Sequence, residues 1–171
     1  MKKEDIYNAL ILLNEKLKEK EIRGEIFLYG GTVMCLCLNA RNSTYDIDAL
    51  FEPKTKIYEL AKEIAEEKGL NENWLNDGVK GFVSDKDEME LFENMSNLDI
   101  YNAKYEYLFA MKCMACRLEE SSNDRKDIEF LIKYLNIQNV EEAEKIILKY
   151  FPQNLITPKT HFMLEEFFSN N

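Results

Sequence analysis

Two aspartates one residue apart, Asp46 and Asp48 in TYDIDALF, are the side chains of this sequence best placed to do chemistry. In a β-strand, period-two alternation puts both carboxylates on one face. Their Cα atoms would then lie about 6.6 Å apart, near enough to share one or two bound cations. Ile47, Ala49 and Phe51 would point to the other face and enter a core. Two aspartates on one side of an apolar strand repel each other unless a cation compensates, and Asp is depleted in strands. The plainer alternative is an edge strand whose aspartates face water. Upstream, Gly30-Gly31 separates an apolar run from a helix-like segment. Glycines there expose backbone N–H groups without a side chain in the way, and a helix start attracts phosphate. The pair and the turn together suggest a phosphate cradle beside a metal-binding acid pair.

A second constellation lies in YLFAMKCMACR. Lys112 is the only charge from Leu108 to Cys116, on a stripe with Leu108 and Ala115 or Cys116. A buried ammonium needs an anionic partner or a route to water. One reading is snorkelling, with the stem on apolar surface and the head in solvent. The other is a lysine beside a bound triphosphate, stabilising charge on the transferring phosphoryl group. Asp124-Arg125-Lys126-Asp127 opens the next helix, where acids also favour the helix dipole. A short connector, Glu119 to Asn123, makes the two helices a hairpin that could bring Lys112 and Asp127 to one mouth.

The elements that position these residues follow from pattern. Ile6, Leu10, Leu13 and Leu17 form one stripe of a helix over about Lys3–Glu21. Glu25–Tyr29 reads as a strand, about Thr32–Ala40 as a helix, Arg41–Thr44 as a polar loop and Tyr45–Phe51 as the acid-pair strand. A helix over about Lys54–Lys68 ends at Gly69. Asn71–Val79, which holds the only Trp, implies turns around a short helical piece. Strands follow over about Glu88–Glu93 and Leu98–Tyr101, then helices over Lys104–Leu118, Asp124–Leu135, Val140–Tyr150 and Pro158–Phe168, the last with Thr157 as N-cap. The expectation is a single α+β domain over 1–171, with a core over about 24–135 and C-terminal helices over about 136–171.

Composition narrows the function classes. A chain of 171 residues with 46% hydrophobic residues buries an ordinary core. A net charge of −10, from 22 basic and 32 acidic residues, argues against broad docking on nucleic acid but leaves room for a local basic pocket. Charges interrupt the N-terminal segment, and no apolar run approaches a bilayer span, so a cytoplasmic protein is expected. Cys35-x-Cys37 and Cys113-x-x-Cys116 raise the idea of a zinc–thiolate site. Both pairs sit in helix-like apolar segments, where residues i and i+2 face apart, so buried structural thiols are expected. His161, the only histidine, reads as a surface or packing residue.

Four blocks in order carry a family resemblance: Gly30-Gly31; Arg41-x-Ser43-Thr44-x-Asp46-Ile47-Asp48; Lys112-x-x-Ala115-x-Arg117; and Arg125-Lys126-Asp127-Ile128. Over about residues 27–135 the sequence resembles the AbiEii-like nucleotidyltransferases, a branch of the polymerase-β-type superfamily that includes toxins of toxin–antitoxin and phage-defence systems. Asn73-Trp74-Leu75-Asn76-Asp77 is similar to one subgroup of that family. The resemblance implies a nucleotidyltransferase-like mixed β-sheet flanked by helices, a nucleoside triphosphate substrate and Mg²⁺, with two ions expected. By it, Asp46 and Asp48 hold metal; Gly30, Gly31, Thr32, Arg41, Ser43 and Lys112 face the nucleotide; and Lys112 and Asp127 complete the catalytic set. Many members use a third strand carboxylate, for which Asp99 is the candidate. The acceptor hydroxyl would belong to tRNA, a protein or a small molecule, and a cognate antitoxin would be a partner. The rival readings are a catalytically impaired fold serving as antitoxin or nucleotide sensor, and a zinc–thiolate protein.

Overall fold

The computed structural model describes residues 1–116 and 123–169. The protein is α+β, with a five-stranded mixed sheet and seven α-helices among the described residues. It forms two compact units, Met1–Gly81 with Met89–Ala103, and Phe82–Glu88 with Lys104–Asn171. The second unit takes up the chain after Ala103, where the last strand ends and a helix begins that packs on other helices. Among the described residues no helix is long and apolar enough to cross a membrane.

The first unit holds the whole sheet. Helix α1, Lys3–Glu19, buries Ile6, Leu10, Leu13 and Leu17 completely, the stripe its spacing predicts. Strand β1, Gly24–Leu28, leads into α2, Gly30–Leu36; β2 is Ile47–Glu52 and α3 is Lys54–Lys68, closed by Gly69 in the left-handed conformation. Strands β3, Leu75–Asn76, β4, Met89–Asn94, and β5, Leu98–Ala103, complete a sheet of order β3-β2-β1-β5-β4. Central β1 runs antiparallel to β2 and parallel to β5. One sheet face carries Ile26, Leu28, Ala49, Phe51 and Ile100, all buried, with α3 against β2 and α1 against β5. Each of those burials removes apolar surface from water at about 25 cal/mol per Å². The other face carries Phe27, Leu50 and Tyr101, half-buried, with the Phe27 and Tyr101 rings stacked at 5.0 Å.

Two departures from the sequence expectation matter for the site. The acid-pair strand starts at Ile47, not Tyr45, so Asp46 sits in the bend just before it. The Asn71–Val79 stretch contributes β3, which pairs in parallel with β2, in place of the short helical piece expected there; a 3₁₀ turn follows only at Gly78–Phe82. Two residues of strand are too few to leave a period-two signal.

The second unit is helical: α4 Tyr105–Ala115, α5 Asn123–Tyr134, α6 Val140–Tyr150 and α7 Pro158–Ser169. Asn139 caps α6 by accepting the Glu142 N–H at 2.9 Å, and Thr157 Oγ1 accepts the Thr160 N–H at 3.3 Å. The expected end of α4 at Leu118, the connector from Glu119 and the motif residue Arg117 lie outside the described residues.

Candidate active site

Gly30 makes the turn from β1 into α2 at φ +57°, a conformation that costs an L side chain strain and glycine nothing. A Cβ at Gly30 would lie 3.0 Å from Asp48 Oδ2, and one at Gly31 would lie 2.7 Å from Thr44 Oγ1 and 2.9 Å from Arg41 Nη1. A carboxylate, a hydroxyl and a guanidinium therefore converge on the glycine turn, in the space side chains would have filled. Helix α2 has only seven residues, so the bare backbone and Arg41, more than a long helix dipole, are what this turn offers an anion.

Each aspartate of the pair is fixed by the chain around it. The Tyr29 N–H donates to the Asp48 carbonyl at 2.9 Å, tying β2 to the end of β1. The Asp46 carbonyl accepts from Thr32 Oγ1 at 3.2 Å, and its Oδ2 accepts from Asn76 Nδ2 at 2.7 Å. Next door, the Ile47 N–H donates to the Trp74 carbonyl at 2.6 Å, and the buried Trp74 indole N–H donates to the Ala61 carbonyl at 2.8 Å. Burial alternates through this stretch: Asp46, Asp48 and Leu50 are half-buried, while Ile47, Ala49 and Phe51 are buried. The two carboxylates thus share the half-exposed side, although Asp46 stands just outside the strand.

Other expected site residues fall differently. Thr32 is fully buried, and its hydroxyl donates to the Asp46 carbonyl, tying α2 to the acid pair. Ser43 is exposed and forms an isolated β-bridge with Lys2, while the adjacent Thr44 N–H donates to the Met1 carbonyl at 2.9 Å. Thr44, not Ser43, is the hydroxyl at the glycine turn.

Asp99 is not brought to the pair. Register places it beside Glu25, whereas Asp48 lies beside Tyr29, four residues or about 13 Å further along the direction of β1 and on the other side of that strand. Its carboxylate is 12% exposed and is gripped by Arg23, whose Nη2 lies 2.7 and 2.9 Å from its two oxygens and whose Nε lies 3.2 Å from one. Asn94 donates to the same carboxylate. A bidentate guanidinium takes the lone pairs a cation would need.

In the second unit Lys112 Nζ lies 3.0 Å from Asp124 Oδ1 and 2.9 Å from Asp127 Oδ2. The Lys112 and Asp127 side chains are 11% and 3% exposed and that of Asp124 is 31% exposed, so the ammonium meets one buried and one partly exposed carboxylate instead of snorkelling to water. Arg125 donates to Glu166 at 2.9 Å and lies over the Phe167 ring at 4.9 Å. His161 lies between Glu144, at 2.6 Å from Nδ1, and Glu165, at 3.3 Å from Nε2; the Glu144 hydrogen bond raises its pKa above the ordinary 6.5.

All four cysteines are free thiols. Burial pushes the Cys37 thiol up to about 12, and holds Cys113 well above, and Cys35 and Cys116 above, the ordinary thiol value. Thiols so placed disfavour the thiolate form that zinc takes. Among the described residues no three His, Cys, Asp or Glu side chains gather into a ready-made cation cage. The Asp46–Asp48 pair nevertheless fits Mg²⁺, which takes one or two carboxylates and completes its shell with water and substrate phosphate.

Asn76 is the residue that sequence reasoning passed over, because Asn-rich composition there signalled only turns. Arg23 was likewise missed: nothing in the spacing of EIRGE marks a partner 76 residues away. Compared with protein-family models, with curated proteins and with solved structures, the chain matches none.

Proposed function

We propose that the protein is a Mg²⁺-dependent nucleotidyltransferase with a nucleotidyltransferase-like sheet, moving a nucleoside monophosphate from a nucleoside triphosphate to a hydroxyl acceptor. The observation that supports it is the convergence of Asp48, Thr44 and Arg41 on the Gly30-Gly31 turn, with Asp46 on the same half-exposed side as Asp48. In the reaction the acceptor oxygen forms a bond to the α-phosphorus, the bond from that phosphorus to the bridging oxygen breaks, and pyrophosphate leaves. The acceptor proton passes to solvent; the sole histidine, His161, is paired with Glu144 and Glu165 in the second unit.

Asp46 and Asp48 would hold Mg²⁺, which supplies charge stabilisation for the phosphoryl oxygens when bound. The glycines admit a phosphate against the backbone, and Arg41 adds a fixed planar cation. Mutual positioning of this kind supplies most of the catalysis in phosphoryl transfer. Of tRNA, protein and small-molecule acceptors, the net charge of −10 favours the last two over a long RNA. A toxin role, with a cognate antitoxin as partner, belongs to the same proposal.

One observation favours a second reading, a nucleotide-binding antitoxin or sensor without turnover: the third strand carboxylate, Asp99, is occupied by Arg23. The two readings part in one assay. The protein is incubated with Mg²⁺, each α-labelled nucleoside triphosphate and separate tRNA, protein and small-molecule fractions, with Asp48→Ala alongside. Label in one fraction together with pyrophosphate, both lost in Asp48→Ala, is the expected result. Triphosphate binding without pyrophosphate from any fraction would establish the sensor instead.

A further inference from the structure

We propose that Asn76 is a positioning residue for the cation site: it fixes the Asp46 carboxylate through a neutral donor and leaves the other oxygen, with its charge, for a metal. The inference rests on the acid-pair reading above and extends it to a residue in neither the glycine turn nor the pair. Three observations carry it.

The first is that the Asn76 amide is locked in one orientation. Its Oδ1 accepts the Gly78 N–H at 2.9 Å, which leaves Nδ2 to donate to Asp46 Oδ2 at 2.7 Å; exchanging the two atoms would break both bonds. The second is that β3 itself is held. Asn76 stands beside Asp48 in the parallel register of β2 and β3, and the next residue, Asp77, accepts from the Tyr58 hydroxyl at 2.6 Å and pairs with Lys54. The Lys54 hydrogen bond, followed by that of Tyr58, holds the Asp77 carboxyl below the usual carboxylate range, so this anchor stays ionised. The third is the chemistry of the contact. The Asp46 carboxylate accepts no other hydrogen bond among the described residues, and its partner carries no charge. A lysine or arginine there would neutralise the carboxylate, as Arg23 does for Asp99. A neutral amide orients it and leaves its Coulombic attraction for a cation.

Gly78 allows a test that removes no group from the site. It is exposed and has no left-handed φ, yet a Cβ there would lie 2.9 Å from Asn76 Oδ1, so alanine must swing the amide away. Free Mn²⁺ is followed by electron paramagnetic resonance as it is titrated into the full chain, for the wild type, Asn76→Ala and Gly78→Ala, with thermal midpoints measured in parallel. Asn76→Ala is expected to weaken Mn²⁺ binding about tenfold, the usual cost of losing an outer-shell partner. Gly78→Ala is expected to weaken it in the same direction by a smaller factor, at an unchanged midpoint. Wild-type affinity in both variants overturns the positioning role while leaving the acid pair standing. A wild type that binds no Mn²⁺ overturns the acid-pair reading and this role with it. If Asn76→Ala does not fold, Gly78→Ala decides by the same criterion.

Discussion

One face of the sheet carries acids at both ends of β1, and the two ends treat them in opposite ways. Near Tyr29, Asp46 and Asp48 stay half-buried, and the Asp46 carboxylate is steadied by a neutral amide. Near Glu25, Asp99 is almost buried and its two oxygens are taken by Arg23. Residue type is the same and strand environment similar, so the partner decides what the carboxylate can do. Arg23 engages both oxygens of Asp99, whereas Asn76 engages one oxygen of Asp46 through a neutral donor. The helical unit follows the Asp99 pattern, with Lys112 enclosed by Asp124 and Asp127.

The same isosteric change at the two ends breaks or confirms this contrast most strongly. Asp46→Asn should lower nucleotidyl transfer by about two orders of magnitude or more while shifting stability by less than about 0.5 kcal/mol. Asp99→Asn should do the reverse, leaving transfer near wild type and costing about 1 kcal/mol, a figure kept small because the Arg23 side chain is 57% exposed. Parallel effects of the two substitutions on transfer would erase the distinction.

The buried cluster of the second unit gives the next largest effect. Asp127→Ala leaves Lys112 with Asp124 alone, and should cost about 3 kcal/mol in chemical denaturation. Replacing both partners, Lys112→Met with Asp127→Leu, should recover most of that loss, because a buried pair can be exchanged for apolar packing. A double variant no more stable than Asp127→Ala would show that the cluster does more than fill the helical core.

The smallest effect concerns His161, where carboxylates meet a cation that titrates. Its folded pKa is raised by Glu144, so the contact stabilises fully below the ordinary value of 6.5 and is lost as pH rises through the raised one. The thermal midpoint should therefore fall slightly as pH rises past 6.5, and His161→Gln should flatten that dependence. An unchanged pH profile in His161→Gln would remove the histidine from the account.

Long-period features were legible in the sequence and short-range contacts were not. The stripes of α1 and α3, the Gly69 stop and the Thr157 cap all repeat or punctuate over many residues, and the structure reproduces them. The side on which Asp46 and Asp48 fall was also legible, because Ile47, Ala49 and Phe51 had to be buried. What escaped depended on partners distant in the chain. The Thr32 hydroxyl donates to the Asp46 carbonyl, 14 residues away, a contact that no local spacing marks. Asp99 alternated properly along its strand, but alternation fixes a face and says nothing of position along it, which the β1–β5 register sets. The two residues of β3 carried no period at all, and with them went the role of Asn76.

The central claim is that Asp46, Asp48 and the glycine turn form one cation and phosphate site. Titrating Mn²⁺ into ¹⁵N-labelled protein with a non-hydrolysable nucleoside triphosphate tests it most directly, because paramagnetic broadening of amide signals marks where the ion sits. The account predicts broadening centred on Gly30, Gly31, Asp46 and Asp48, abolished by Asp48→Ala. Broadening centred on the Asp99 end of the sheet, or spread evenly over the acidic surface, would contradict it.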